Sequence, residues 1–332
     1  MTPRSRPMFQ RRCLLLATAT AASMLFALAP ARAEPAFPTK PVRFIIPTAP
    51  GGNLDLLARV VAQKLGEAWG QQVIVEGRPG ANTILATTAV AKSPADGHTA
   101  LFTISGFVQN LAMHPNPQYR AADFVPVSLV ASFPIALAAK AALPANDLKG
   151  VVKLAQQAPD KLSFGSYGVG SGGHIIGEGL NKAAGIRIKH LAYKGEAASF
   201  IDLVGGDIDL AYGSVGFYAR QLSGGKVKLI SVASARRLKQ FPDVPTFAEA
   251  GFPEINLPGW GAVFLPANTP APVVEKFSNE IRKIVAMPDV QAKIYEMGFE
   301  PVGNSSKEFA GVVEADLKAW GKIVRENNIK LD

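Results

Sequence analysis

The sequence predicts an α/β protein built on largely parallel sheets with helices on both faces. Two observations carry this. Apolar runs of strand length alternate with stretches whose apolar residues recur at helical spacing. The junctions between them are short and often Gly-rich, as in β-α-β units whose helices cover both faces of a sheet.

In chain order, residues 42–47 (VRFIIP) read as a buried strand. Leu54, Leu57, Ala58, Val61 and Leu65 then mark one face of an amphipathic helix. Residues 72–76 and 100–104 read as strands, with a helix over 83–92 between them. Two extended segments follow, 127–130 and 135–140. The alternation resumes with helix 147–158, strand 162–166, helix 173–184, strand 186–191, helix 197–204, strand 208–212, helix 215–222 and strand 227–232. After a strand at 260–265 the chain turns helical over 272–286, 289–297 and 306–327. In the last helix Phe309, Val313, Leu317, Trp320 and Val324 form one apolar stripe, which reads as core. Pro-containing passages at 131–134 and 253–260 punctuate the series. If both are crossovers, the first and last parts of the chain form one domain and the middle forms another.

The chain has 332 residues, 48% of them hydrophobic and 18% charged, which suits a packed globular protein and excludes a disordered one. Its net charge of +9 is concentrated at the start. Residues 1–33 hold Arg4, Arg6, Arg11, Arg12 and Arg32 and no acid, and without them 30 basic residues face 26 acidic ones, a charge of +4. That weakens any case for nucleic acid as a partner. Basic residues up to Arg12, an apolar run from Cys13 to Leu28 and the sequence Pro30-Ala31-Arg32-Ala33 make the three-part pattern of a secretory signal, with cleavage expected after Ala33. An N-terminal membrane anchor is the competing reading. Arg11-Arg12 hints at twin-arginine export, and Cys13 lacks a lipobox before it. The remainder carries no Cys and no apolar run of spanning length, so a soluble exported protein is expected.

Two loops stand out. Pro47-Thr48-Ala49-Pro50-Gly51-Gly52-Asn53-Leu54-Asp55 joins a strand to a helix, and Gly51 and Gly52 permit a backbone that exposes successive N–H groups at the helix N-terminus. A tight turn would use the same glycines. Asp55 either complements the helix dipole, with Arg59 one turn on, or meets a ligand. In the second loop Gly168, Gly170 and Gly173 spell G-x-G-x-x-G between a strand and a helix, with Ser166, Ser171 and His174 as added hydrogen-bonding groups. The ribose-binding acid expected at the end of the next strand is missing. The loop therefore reads as an anion cradle, with a nucleotide-dependent oxidoreductase as the alternative. Ser105-Gly106 and Tyr212-Gly213-Ser214 also follow strands, and all these loops lie at strand carboxyl ends, where ligands of open α/β sheets collect.

Catalytic constellations are poor. No G-x-S-x-G elbow and no P-loop occurs, and His98, His114, His174 and His190 lack metal-type spacing. No enzyme activity, metal or cofactor is expected.

Several passages resemble the Bug-type solute-binding receptors of tripartite tricarboxylate transporters. They are residues 38–59 (PTKPVRFIIPTAPGGNLDLLAR), Val75-Glu76-Gly77-Arg78-Pro79-Gly80-Ala81, Ser93-Pro94-Ala95-Asp96-Gly97, Tyr193-Lys194-Gly195, Leu203-Val204-Gly205-Gly206, and residues 243–251 (DVPTFAEAG). They run in order along essentially the whole chain after the leader. The resemblance implies a type II periplasmic-binding-protein fold, with two lobes, each a mainly parallel sheet flanked by helices, and a ligand cleft between them. Residues 34–131 and 259–332 would form the first lobe and 132–258 the second. It implies a small organic carboxylate held by backbone amides and hydroxyls from opposed loops: Thr48, Ala49, Pro50, Gly51, Gly52, Asn53, Asp55, Ser105 and Gly106 on one side, and Ser166, Gly168, Gly170, Ser171, His174, Tyr193, Lys194, Gly195 and Ser214 on the other. It also implies a monomer in the periplasm that delivers its ligand to integral-membrane permease subunits or to a sensor. Thr48 stands where many relatives have Phe, Asn53-Leu54 where they have Ser-Thr, and Gly77-Arg78 where they have Asn-Arg.

Overall fold

In the computed structural model the described residues are 37–114, 116–327 and 329. The leader read from residues 1–33 and its cleavage point lie outside them. The chain divides into two units, 1–39 and 40–332, and the folded body is the second. Among the described residues no helix is long and apolar enough to cross a membrane.

The body begins as its hydrophobic pattern dictates. β1 (Val42–Ile46) is buried except at Arg43. α1 (Asn53–Trp69) buries Leu54, Leu57, Ala58, Val61 and Leu65, and ends where Gly70 turns left-handed at φ 65°. β2 (Val73–Gly77), α2 (Ile84–Ala91), β3 (Thr99–Ile104) and α3 (Gly106–Met113) follow. α3 is an element that helical spacing did not reveal. Phe107, Val108, Gln109, Asn110 and Met113 are all buried, so it shows no polar face to mark its period. β4 (Phe124–Phe133) and β5 (Ile135–Lys140) are separated by Pro134 alone. β4 is a ten-residue strand where only 127–130 read as extended.

Next come α4 (Leu148–Gln157), β6 (Ser163–Ser166), α5 (Gly172–Ala184), β7 (Lys189–Ala192), α6 (Glu196–Gly205), β8 (Leu210–Ser214), α7 (Val215–Ala219) and β9 (Val227–Ala233). The chain returns through β10 (Gly259–Pro266), α8 (Ala271–Val285), α9 (Pro288–Glu296), the short β11 (Glu300–Pro301) and α10 (Ser306–Glu326). A capping box starts α10: the Ser305 hydroxyl accepts from the Glu308 N–H, and the Glu308 carboxylate accepts from the Ser305 N–H.

These strands form two sheets, ordered β11-β4-β10-β3-β1-β2 and β7-β6-β8-β5-β9. Both are mixed. β2-β1-β3 and β7-β6-β8 are the parallel trios that the β-α alternation predicts. β10 is antiparallel to β3 and β4, and β5 is antiparallel to β8 and β9. β4 and β5 run on through Pro134 without a helix between them, and β10 enters the first sheet only after the chain has built the second. These strands therefore escape the rule that a helical crossover makes neighbours parallel.

The predicted stripe of α10 does pack inward, with Phe309, Val313, Trp320 and Val324 buried. α10 lies on α3 and β4 and also touches α5. Phe264 stacks on Phe107 at 4.6 Å and meets Phe309 at 4.9 Å, while Trp260 meets Phe309 edge-on at 5.6 Å. The Trp260 indole N–H donates to Asp316 Oδ2 at 2.7 Å. Burial pushes the Asp316 carboxyl up to about 6.

The two halves also meet through backbone. At Gly298 (φ 76°) an added Cβ would lie 2.2 Å from the Cα of Gly216, the second residue of α7. Both positions thus require glycine. Gly298→Ala should cost about 2–4 kcal/mol of stability, from overpacking against backbone plus a left-handed conformation that alanine resists. Urea denaturation checks this, and an unchanged midpoint would show that the contact yields freely.

Candidate functional site

The parallel trios of both sheets aim their carboxyl ends at one cavity of about 570 Å³. Four helices of eight residues or more begin at its wall: α1 with Asn53, α3 with Ser105 and Gly106, α5 with Ser171 and Gly172, and α6 with Gly195 and Glu196. The first N–H groups of a helix have no intrahelical acceptor, and the dipole there is positive. Apolar walls come from Ile104, Phe133, Pro134, Ile135, Val169 and Phe299. Phe133 and Phe299 stack at 3.9 Å. No Lys or Arg is among the lining residues.

Of the residues that the sequence nominated, seven line this cavity: Asn53, Ser105, Gly106, Gly168, Ser171, Gly195 and Ser214. The rest do not, and local bonding gives the reasons. Gly51 (φ 88°) donates its N–H to Asp55 Oδ2 at 2.9 Å, and Arg59 Nε donates to the same oxygen at 2.9 Å. Asp55 is buried, and the Arg59 hydrogen bond holds its carboxyl below the usual range against the opposing effect of burial. The protein thus supplies its own anion to this loop. Ala49, Pro50, Gly51 and Gly52 are exposed, and Thr48 is half-buried.

The second loop is also largely satisfied from within. The Ser166 hydroxyl donates to the Gly168 carbonyl at 3.0 Å and lies 2.8 Å from His190 Nε2. Gly170 donates to His174 Nδ1 at 3.0 Å, and Gly173 donates to the Tyr167 hydroxyl at 3.1 Å. Ser171 caps α5, accepting from the His174 N–H. Gly172 and Gly173 let Tyr167 in, since an added Cβ at either would lie 3.0 Å from its phenol. The Tyr193 hydroxyl donates to Asp202 Oδ2 at 2.7 Å, and Lys194 is exposed.

His174 and His190 stack at 4.0 Å with planes 9° apart. Ligand-capable atoms of these two and Glu178 lie within 4.8 Å of one another. Parallel rings do not converge their in-plane lone pairs on one point, and His174 Nδ1 is already an acceptor for Gly170. The stack therefore serves to hold the loop. Burial, and then the neighbouring His174, push His190 down to about 4.

Sequence reasoning missed Asn82, Gln109, Tyr167, Gly172, Glu196, Gly259 and the apolar walls. Asn82 follows Ala81 and precedes Thr83, all three with positive φ (46°, 43° and 84°). Its amide donates to Asn110 Oδ1 at 3.0 Å. Gln109 belongs to the unanticipated α3. Glu196 accepts from the Ser214 N–H at 2.6 Å and from the Ser214 hydroxyl at 2.9 Å. Burial raises the Glu196 carboxyl, while these two donors and Arg220 pull it back.

Two outcomes follow from this bonding. Asp55→Ala frees the Gly51 N–H and should lower the unfolding midpoint by about 2–5 °C with the fold retained; circular dichroism on heating reads both. For His190 the unfolded chain takes its proton near 6.5 and the folded chain only near 4, so the parent loses stability relative to His190→Gln as pH falls through that window. Paired denaturant titrations at pH 7, 5.5 and 4 should show the gap moving in the variant's favour, and a constant gap would place His190 outside the buried stack.

Known proteins share this sequence pattern and fold. The sequence pattern described as "Tripartite tricarboxylate transporter family receptor" matches residues 57–329. The "UPF0065 protein in tcbD-tcbE intergenic region" of Pseudomonas sp. strain P51 is 36% identical over 293 residues, covering 88% of this chain and 87% of that one. Among solved structures, the periplasmic binding protein BugD is 29% identical with a TM-score of 0.73, over 89% of this chain and 99% of its own. "R. palustris Rpa4515 with adipate" is 30% identical with a TM-score of 0.76, again over 89% and 99%. With a match across most of its length, two mixed α/β sheets and a shared cavity at their strand ends, the chain belongs to the tripartite tricarboxylate transporter receptor family and has a periplasmic-binding-protein fold.

Proposed function

We propose that this protein is exported to the periplasm, holds a small organic carboxylate in the cavity between its sheets, and delivers it to integral-membrane permease subunits. One observation carries the reading. The N-termini of α1, α3 and α5 converge on one cavity that has apolar walls and no basic side chain. A carboxylate there is stabilised by unpaired backbone donors and helix dipoles. Hydrogen bonds to a charged group contribute roughly 1.5–3 kcal/mol each, and each helix N-terminus about 0.3–1. Four or five contacts offset binding costs and leave the roughly 8 kcal/mol of a micromolar complex. The adipate in the R. palustris relative has this chemistry.

In this reading the sheets are the cores of two lobes, 34–131 with 259–332 and 132–258, that hinge at the passages near Pro134 and 253–260. The ligand touches donors from both and so favours the shut form. The leader ending at Ala33 accounts for export. The nucleotide alternative loses its mechanical basis, because Gly170 and Gly173 spend their N–H groups on His174 and Tyr167.

Expression of the full chain followed by periplasmic extraction should yield a protein whose N-terminus is Glu34. In titration calorimetry it should bind at least one small mono- or dicarboxylate with micromolar affinity and ignore NAD. Binding of NAD with no response to a broad carboxylate panel would overturn the proposal.

A further inference from the structure

Glu196 is the one acidic side chain among the residues lining the cavity, and no Lys or Arg lines it; Arg220, outside the lining, lowers its carboxyl less than burial raises it, and the phenols of Tyr167 and Tyr218 are the other titratable groups that face it. It occupies the first turn of α6, at the carboxyl end of β7, on the side of the second sheet. Its position is built rather than incidental. Ser214, at the end of β8, points both its N–H and its hydroxyl at the two carboxylate oxygens. The Ser214 hydroxyl oxygen accepts from the Phe217 N–H, so its own proton goes to Glu196. Gly213 gives the carboxylate room, for an added Cβ there would sit 2.9 Å from Glu196 Oε2. Two donors directed at two oxygens are the complement of an ionised carboxylate.

The helix N-terminus of α6 and the N–H of Ser214, the N-cap of α7, are therefore already supplied with an anion by the protein. At α1 the Asp55 carboxylate takes the Gly51 N–H and is itself paired with Arg59, and at α5 Gly173 is spent on Tyr167, which leaves Asn53, Ser105, Gly106, Gln109 and Gly172 at the wall for a ligand anion. The cavity thus has an anion-receiving part and a part that carries fixed negative charge, joined by apolar walls. Each Glu196 oxygen retains one acceptor site beyond its bond to Ser214.

Resting on the carboxylate reading above, we infer that Glu196 is a specificity-determining residue, selecting a monocarboxylate that carries an ammonium group at its far end and rejecting a second carboxylate there. Like charges repel between apolar walls, whereas an ammonium facing Glu196 gains a charge-assisted hydrogen bond.

Three ligands of one chain length isolate the effect: hexanoate, adipate and 6-aminohexanoate. They share one carboxylate and an apolar body, and differ in whether the far end is neutral, negative or positive. Calorimetry on the full-length secreted protein should give 6-aminohexanoate the tightest binding and adipate the weakest. Glu196→Gln keeps the size and an acceptor oxygen but removes the charge. It should lower the ratio of 6-aminohexanoate to adipate affinity at least tenfold and leave hexanoate within about threefold. Hexanoate binding with an unchanged ratio would overturn this inference alone. Failure of all three ligands on the folded parent would overturn this inference, and the carboxylate reading falls with it only if the broad carboxylate panel fails as well. Should Glu196→Gln fold poorly by circular dichroism, the parent supplies the same test: 6-sulfohexanoate, whose far-end sulfonate stays ionised throughout, should bind at least tenfold more tightly, relative to hexanoate, at pH 4 than at pH 8 as Glu196 takes up a proton. A flat relative affinity would overturn the inference.

Discussion

Unpaired backbone N–H groups at helix N-termini organise this molecule. Each parallel strand of the two trios ends where a helix or a short loop must begin, and each of those helices leaves its first donors without an intrahelical acceptor. Because the carboxyl ends of both trios face one cavity, these donors accumulate there. The result is a site whose electrostatic preference is written in main chain rather than in lysines or arginines. Such donors are fixed by secondary structure and need little ordering when a ligand arrives, which preserves affinity that flexible side chains would lose.

The same donors demand partners when no ligand is near, and the protein provides many of them. Asp55 answers Gly51, His174 answers Gly170, Tyr167 answers Gly173, and Glu196 answers Ser214. This division separates the glycines that shape loops from the positions left open to a ligand. It also explains why the most conspicuous Gly-rich motif contributes fewer free donors than its sequence suggests. Gly168 and Ser171 reach the cavity, while Gly170 is turned to the His174–His190 stack behind it.

Positioning such a site needs a stiff frame. The aromatic cluster of Phe107, Phe264, Trp260 and Phe309 fixes β10, α3 and α10 together beneath the first sheet's half of the cavity. α10 reaches past that cluster to α5, where an added Cβ at Gly179 would lie 2.6 Å from Ile255 and 3.4 Å from Ile323. Close packing of this kind transmits small displacements between the halves. The backbone contact of Gly216 with Gly298 is a second such joint.

The local elements were legible from residues alone wherever one face was polar. Strand β1, helix α1 and the stripe of α10 follow directly from hydrophobic period. The strand-end location of the loops, and seven of the cavity-lining residues, also followed, because ligands of open α/β sheets collect at strand carboxyl ends. Helix α3 was hidden because its polar Gln109 and Asn110 are buried while the apolar Leu111 and Ala112 are its half-buried positions, and Gln109 was hidden with it. The mixed direction of the sheets depends on strands paired across long stretches of chain, which no local pattern encodes. Glu196 carried no signal in the sequence, since only the neighbouring end of β8 brings Ser214 against it. Sequence by itself therefore determined the α/β alternation, the glycine-rich strand ends and the family resemblance, since these rest on residues close together in the chain. Tertiary structure alone decided which backbone donors stay free and where the fixed negative charge lies, because both depend on partners that only folding brings within hydrogen-bond reach.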